Sequence, residues 1–211
     1  SAAGEPARGI RGVAYRTAGG SLVRQGRTRP VSLERYPPFS TRFRRQGPIE
    51  ITRGCPHRCR FCAAPFLAGR RPRHRPLPDV LRAVEQCLAH GVDQIRFIAP
   101  NAFGYGSASH EPRIDVLEEL LRVSSALAGR KNVFLGSFPS EVRPESVTPQ
   151  AVELVARYCG NDNLVIGAQT GSPRMLERMQ RGHTVEQVRQ AVRIAHAAGL
   201  RTNVDLIFGL P

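Results

Sequence analysis

The stretch Ile49-Glu50-Ile51-Thr52-Arg53-Gly54-Cys55-Pro56-His57-Arg58-Cys59-Arg60-Phe61-Cys62 runs from a β-branched segment into a loop crowded with thiols. Ile49–Thr52 reads as a strand, and three cysteines then fall within eight residues. That spacing brings three thiolates to one small metal centre and offers no fourth nearby. Three protein ligands on a four-position centre leave one position open, and open positions are where metal chemistry happens. Structural zinc takes four ligands, commonly as two separated pairs, and His57 is too close to Cys55 and Cys59 to serve easily as the fourth. Ferredoxin-type clusters usually have four cysteine ligands. A cuboidal 4Fe–4S cluster held at three corners suits the spacing best. Phe61, inside the loop, would shield such a cluster, abut a ligand bound to it, or simply pack.

Outward from this loop the pattern alternates. Strand-like runs are Ile49–Thr52, Gln94–Ile98, Asn132–Leu135, Leu164–Ile166 and Thr202–Phe208. Helical patterns lie between them at Asp79–His90, Asp115–Ala128, Pro149–Cys159 and Pro173–Ala198, the last broken near Gly182. Thr148-Pro149 and Ser172-Pro173 each set an N-cap hydroxyl before a proline at the first helical position. Thr184 with Gln187 forms a capping box. Gly129 and Gly160 stand where helices should stop.

Five βα-type repeats with non-alternating strands predict an α/β fold with a parallel sheet, closed into a barrel or left open. Either form gathers ligands at the C-terminal ends of the strands. The chemically unusual residues do fall there: the cysteine loop, Pro100-Asn101, Ser137 through Glu141, Gln169 through Ser172, and Gly209.

The 211 residues suffice for a core burying on the order of 70% of the unfolded surface. No apolar run approaches the roughly 20 residues of a membrane span, and the N-terminus is no signal peptide. The chain starts at Ser1 and stops after a strand-like run, so it reads as a fragment cut at both ends. An odd total of five cysteines, three of them clustered, argues for a reducing, cytoplasmic setting rather than paired disulfides. Cys87 lies on one apolar helical stripe and Cys159 ends another, and both read as packed thiols. A net charge of +14 invites a nucleic-acid partner. However, Lys131 is the only lysine, the arginines are scattered, and such composition often follows genome bias. The one dense basic run, Arg70, Arg71, Arg73, His74 and Arg75, reads equally as a solvated loop or an anion contact. Residues 1–46 are rich in Gly, Pro and Arg, with a hairpin signal from Val13–Tyr15 and Ser21–Val23 around Gly19-Gly20. They form a connector into a main domain spanning 47–211.

Cys55-x3-Cys59-x2-Cys62, with an aromatic before the last cysteine and after a first strand, resembles the signature of radical S-adenosylmethionine (radical SAM) enzymes. Gly167-Ala168-Gln169-Thr170-Gly171-Ser172, followed by Met179-Gln180-Arg181-Gly182-His183-Thr184, is similar to the fourth-strand and helix segments of methylthiotransferases. Asp205 through Pro211 resembles their fifth strand. Pro48 through Cys55, Pro100 through Phe103 and Phe138 through Pro144 look closest to members carrying a cobalamin-binding domain before the radical domain.

The resemblance implies a parallel (β/α) partial TIM-type barrel, truncated after its fifth strand, with residues 1–46 leaving a missing cobalamin-binding domain. It implies Cys55, Cys59 and Cys62 as ligands of a 4Fe–4S cluster whose open iron binds S-adenosylmethionine. Reductive cleavage would then give methionine and a 5′-deoxyadenosyl radical. Pro100 and Asn101 would hold the methionyl amine, Glu141 the ribose hydroxyls or the amine, and Gln169 the ribose. Arg181, 12 residues after Gln169, would bind the carboxylate with its planar fork. Phe208 and Gly209 would approach the adenine, and Phe61 the bound ligand. His57 and His183 read as structural. The implied cofactors are the cluster, S-adenosylmethionine and cobalamin through an absent domain; the implied partner is a flavodoxin- or ferredoxin-type electron donor. A methylthiotransferase-like modifier of tRNA or protein is the second reading, and a non-catalytic iron–sulfur or zinc module the third.

Overall fold

The computed structural model describes residues 9–26, 30–40, 43, 45–109 and 111–210. Parts of the expected connector (1–8, 27–29, 41, 42 and 44) and Pro211 of the last motif lie outside the described residues. The chain divides into two compact units, Ser1–Val31 and Ser32–Pro211. In the first, strands β1 (Ala14–Arg16) and β2 (Leu22–Arg24) form an antiparallel hairpin with Tyr15 opposite Val23. Its turn closes through the Gly20 N–H donating to the Thr17 carbonyl, with Gly20 at φ +80°. The Gly19-Gly20 signal is thus confirmed, one residue later on each arm.

The boundary between the units falls ahead of residue 46, where composition set it. Ser32–Gln46 belongs with the second unit for a definite reason. Leu33 is buried, and the buried Arg75 guanidinium donates to the carbonyls of Leu33, Tyr36 and Glu50 at 2.7, 2.8 and 3.0 Å. One cation thereby binds three carbonyls, of which that of buried Leu33 would otherwise face the interior.

The second unit alternates strands and helices: β3 (Ile49–Glu50), β4 (Thr52–Arg53), α1 (Ala64–Ala68), β5 (Arg73–His74), α2 (Leu77–Ala89), β6 (Ile95–Ile98), α3 (Ile114–Ala128), β7 (Val133–Phe134), α4 (Pro149–Tyr158), β8 (Asn163–Gln169), α5 (Pro173–Arg178), α6 (Val185–Ala197) and β9 (Arg201–Leu206). β3, β6 and β7 pair in parallel, as do β8 and β9. A parallel bridge of Val142 with Ile166 carries the sheet from the third strand segment to the fourth. The order matches the βα repeat expected from sequence, with α2, α3, α4 and α6 turning apolar stripes inward. Those stripes are Val80, Ala83, Val84 and Cys87; Leu117, Leu120 and Leu121; Ala151, Val152 and Val155; and Ala191 with Ala195. Each fully buried Leu or Val contributes roughly 1.5–3 kcal/mol, so these stripes dominate the fold's stability. Cys87 and Cys159 are packed thiols in this core, Cys159 pushed up to about 12 by burial.

Three local features depart from the sequence reading. First, the predicted Ile49–Thr52 strand divides, and Thr52 and Arg53 pair antiparallel with His74 and Arg73. The basic run is therefore partly a strand, and Arg73 and Arg75 donate to carbonyls, the former to Ala68 at 2.6 Å. Second, β7 is short because the chain turns at Gly136, whose φ is +70°. A Cβ there would lie 2.8 Å from Leu164 Cδ1 and 2.9 Å from Val142 Cγ1, so only glycine lets the third segment bend across onto the fourth. Third, α1 follows the cysteine loop without any clear sequence signal.

The N-caps stand where the sequence placed them. Thr148, Ser172 and Thr184 accept from the backbone N–H groups of Ala151, Met175 and Gln187, and the Thr184–Gln187 capping box is reciprocal. Arg75→Met should lower unfolding stability by about 2–4 kcal/mol, since it strips donors from one buried and two part-buried carbonyls. Denaturant unfolding monitored by circular dichroism reads this directly.

Candidate functional site

The site forms where four strand segments end. Gly54, at φ +95°, starts the cysteine loop; a Cβ there would sit 2.5 Å from the Arg71 carbonyl oxygen. Cys55 N–H donates to the Gly69 carbonyl at 3.1 Å, Cys62 N–H to Cys59 at 3.1 Å and Arg60 N–H to Met179 at 2.9 Å. The loop is thus tied at both flanks, the second tie reaching the end of α5. Cys59 is buried, whereas Cys55 and Cys62 are half-buried. Burial pushes the Cys55 thiol up, and Arg143 opposes this while Cys59 and Cys62 reinforce it.

Two guanidiniums converge on the buried sulfur. Arg143 Nη1 lies 3.7 Å and Arg181 Nη1 3.6 Å from Cys59 Sγ, within reach of so large and polarisable an acceptor. Both arginine side chains are nearly inaccessible to solvent. Arg181 also donates from Nη2 to the Gly167 carbonyl at 2.6 Å and lies 3.4 Å from Glu141 Oε1. Gln169 Nε2 donates to Glu141 Oε2 at 3.3 Å. Glu141, Gln169 and Arg181, drawn from the ends of the third and fourth segments and from the loop after α5, therefore form one hydrogen-bonded set. Gly167 makes room for them: a Cβ there would be 2.4 Å from the Glu141 carboxylate and 2.7 Å from Arg181 Nη2. Burial is the largest influence on Glu141 and pushes its pKa up, with Arg181 pulling the other way. Gln169 holds φ +70° without being glycine, a backbone state that persists only where surroundings enforce it. Its carbonyl accepts from Ile207 N–H at 2.9 Å, linking β8 to the chain beyond β9.

The remaining expected residues are placed as follows. Phe61 lies beside the site, with the Arg181 guanidinium 5.9 Å from its ring centre. Pro100 and Asn101 share a cleft with Thr52, Gly54, Cys55 and Ser107. The Asn101 side chain is a brace: Oδ1 accepts from Arg143 N–H and from Ser146 Oγ, both at 3.1 Å. Phe208 is exposed and Gly209 sits at φ +75°, both past the end of β9. His183 is buried and donates from Nε2 to the Ala168 carbonyl at 3.2 Å.

Sequence reasoning passed over Arg143 and Glu145 as individual residues. Arg143 Nε donates to Glu145 Oε1 at 2.5 Å, and its Nη2 donates to the Arg181 carbonyl. Glu145 Oε2 lies 3.6 Å from His183 Nδ1, and neither atom has a hydrogen-bond partner among the described residues. In an arginine-rich chain no pattern distinguishes a fully buried guanidinium from a surface one; only its place within Phe138–Pro144 pointed near it.

These residues fit an iron–sulfur cluster of anionic thiolates. Guanidinium and N–H donors surround the sulfurs, Ala64 N–H reaching Cys62 Sγ at 3.4 Å. Among the described residues no three His, Cys, Asp or Glu side chains close around a single metal ion, and a cuboidal cluster spreads its thiolates wider than one ion does.

The Radical SAM superfamily profile matches residues 49–211. This chain belongs to that superfamily, a class of enzymes. It is 33% identical over 163 residues to a tRNA-2-methylthio-N(6)-dimethylallyladenosine synthase of Chlorobium phaeobacteroides, covering 76% of this chain and 35% of that protein. It is 29% identical over 169 residues to an uncharacterized protein of Methanopyrus kandleri, covering 77% and 31% respectively. The chain thus spans about a third of these relatives' length. Its fold is shared with the cobalamin-dependent S-adenosylmethionine radical enzyme OxsB, at TM-score 0.69, 18% identity, and 94% and 29% coverage. It is shared equally with the radical S-adenosylmethionine methyltransferase TsrM from Kitasatospora setae, at TM-score 0.68, 21% identity, and 96% and 41% coverage. Among the described residues no helix is long and apolar enough to cross a membrane.

His183 makes a pH signature testable. Burial first, then Arg181 and Arg143, push its pKa down to about 4, against the opposing pull of Glu145. Between roughly pH 6.5 and 4 the unfolded chain then takes up a proton that the folded chain refuses. Stability should fall as pH drops through that window, by on the order of 2–3 kcal/mol. His183→Gln should flatten that part of the acid limb, as read from urea unfolding at successive pH values.

Proposed function

We propose that residues 47–211 form the catalytic core of a radical SAM enzyme in which Cys55, Cys59 and Cys62 hold a 4Fe–4S cluster. The overall reaction is one-electron cleavage of S-adenosylmethionine to methionine and a 5′-deoxyadenosyl radical. The observation that carries this reading is the junction at Arg181, whose guanidinium touches Cys59 Sγ and lies 3.4 Å from Glu141. Cluster ligand and polar pocket are thereby neighbours.

When bound, the cluster supplies one electron and an open iron position for the methionyl amine and carboxylate. This chain's residues do the rest. Arg181 Nε is buried and without a hydrogen-bond partner among the described residues. Such an unspent donor costs roughly 1–3 kcal/mol, which an incoming carboxylate would offset. Glu141, already held by Gln169 and Arg181, presents acceptor lone pairs to ribose hydroxyls or an amine. The cleft of Cys55, Pro100 and Asn101 lies beside the cluster loop, where backbone groups can receive the amine. Phe61 covers the Arg181 side, and exposed Phe208 with Gly209 stands ready to meet the adenine face. Excluding water here protects a carbon radical from quenching.

The reaction belongs with cobalamin-associated chemistry, supported by the fold shared with the cobalamin-dependent enzyme OxsB and by the segments Pro48–Cys55 and Phe138–Pro144. Methylthiotransfer to tRNA or protein is the second reading, favoured by the 33% identity to a tRNA-modifying synthase. The electron donor is a small protein of flavodoxin or ferredoxin type, acting in a reducing, cytoplasmic compartment. Exposed Arg58, Arg60, Arg70 and Arg71 around the cysteine loop give it a basic surface to meet.

Anaerobic reconstitution followed by assay for 5′-deoxyadenosine tests the proposal; a loaded, reduced cluster that never cleaves S-adenosylmethionine would defeat it. Cys59→Ala should abolish cluster assembly, measured as iron and acid-labile sulfide per chain. Arg181→Ala should weaken S-adenosylmethionine binding by about 2–5 kcal/mol in equilibrium titrations.

A further inference from the structure

Arg143 stands outside both the cysteine loop and the Glu141–Gln169–Arg181 set, yet its side chain is 2% exposed. Its three nitrogens are all engaged: Nη1 with Cys59 Sγ at 3.7 Å, Nε with Glu145 Oε1 at 2.5 Å, Nη2 with the Arg181 carbonyl. Its backbone N–H donates to Asn101 Oδ1 at 3.1 Å. Position is thus fixed from four sides. Cys59 is the buried member of the cysteine trio and receives a second guanidinium from Arg181 at 3.6 Å. Cys62 Sγ instead accepts from the Ala64 backbone N–H. One thiolate of three is singled out for cationic contact in a water-poor setting.

We infer that Arg143 is a positioning residue that sets the reduction potential of the cluster, acting through Cys59 and restrained by Glu145. The inference rests on the cluster assignment above. Reduction adds one electron to the cluster and makes or breaks no bond. A cation beside a ligand sulfur stabilises the more negative, reduced form and so raises the potential. Buried charge is poorly screened, so the effect survives at physiological salt. Glu145, in contact with Arg143, acts with the opposite sign on the same centre. A purely structural arginine predicts lost stability, without opposite signs in potential from its two ends.

The test is an anaerobic potentiometric titration of the reconstituted chain with dithionite, following the electron paramagnetic resonance signal of the reduced cluster. Arg143→Met should move the midpoint to more negative potential. A tenfold fall in the reduced-to-oxidised ratio at fixed poise corresponds to 59 mV for one electron. Glu145→Gln, which keeps an acceptor for Arg143 Nε, should move it to more positive potential. Arg143→Lys should restore most of what Arg143→Met loses. Unmoved midpoints, or shifts of the same sign in Arg143→Met and Glu145→Gln, overturn the inference. If Arg143→Met does not fold, Glu145→Gln decides by the sign of its shift: a positive shift, beside an Arg143→Lys midpoint near that of the wild type, supports the inference, and an unmoved or negative one overturns it. A wild-type chain that binds no iron and sulfide defeats the cluster assignment and this inference with it. A loaded cluster with unmoved midpoints defeats only the role of Arg143.

Discussion

The Cys59 sulfur, met by the buried guanidiniums of Arg143 and Arg181, is the point on which the rest of the structure turns. Burying two cations is costly unless each is paired and hydrogen-bonded. Here Glu145 and Glu141 supply the counter-charges, and carbonyls of Arg181 and Gly167 take further donors. The four charged side chains come from the third strand end, the turn before α4 and the loop after α5. Their mutual compensation fixes those segments against the cysteine loop. Remove either sign and the other is left desolvated.

That arrangement also explains features that look arbitrary one by one. Gly167 has no side chain because the Glu141 carboxylate and Arg181 occupy the space. Gly136 bends the third segment so that Val142 can bridge to Ile166, which carries Glu141 and Arg143 to the same rim. Asn101 braces Arg143 and Ser146, so the loop after β6 is fixed by the loop after the third segment. His183, buried between Ala168 and Glu145, closes the network on its far side and stays neutral because solvation is lost and two guanidiniums are near. Polar networks of this sort are costly when half-satisfied. Glu145 Oε2 and His183 Nδ1, 3.6 Å apart, and Arg181 Nε are buried without hydrogen-bond partners among the described residues.

The order of strands and helices was legible in the sequence because each element carries its own local signal. Period-3.6 stripes mark α2, α3, α4 and α6, and hydroxyl caps before α4, α5 and α6 place their starts to the residue. The division of Ile49–Arg53 between a parallel and an antiparallel partner was not legible, since pairing depends on which distant segment arrives. Nor was the role of Arg75, one more arginine in a basic run until three carbonyls from remote segments surround it.

For the site, the sequence by itself determined the residues on which the proposal stands: three thiols at the spacing Cys55-x3-Cys59-x2-Cys62, and Gln169 with Arg181 12 residues apart. Ligand chemistry is written in residue type and short spacing, which folding does not alter. Only the tertiary structure decided which arginines are buried, which carboxylates they meet, and that Cys59 rather than Cys55 or Cys62 receives both. Burial and charge pairing are sums over segments more than 80 residues apart, such as Cys59 and Arg143, and no local pattern encodes them.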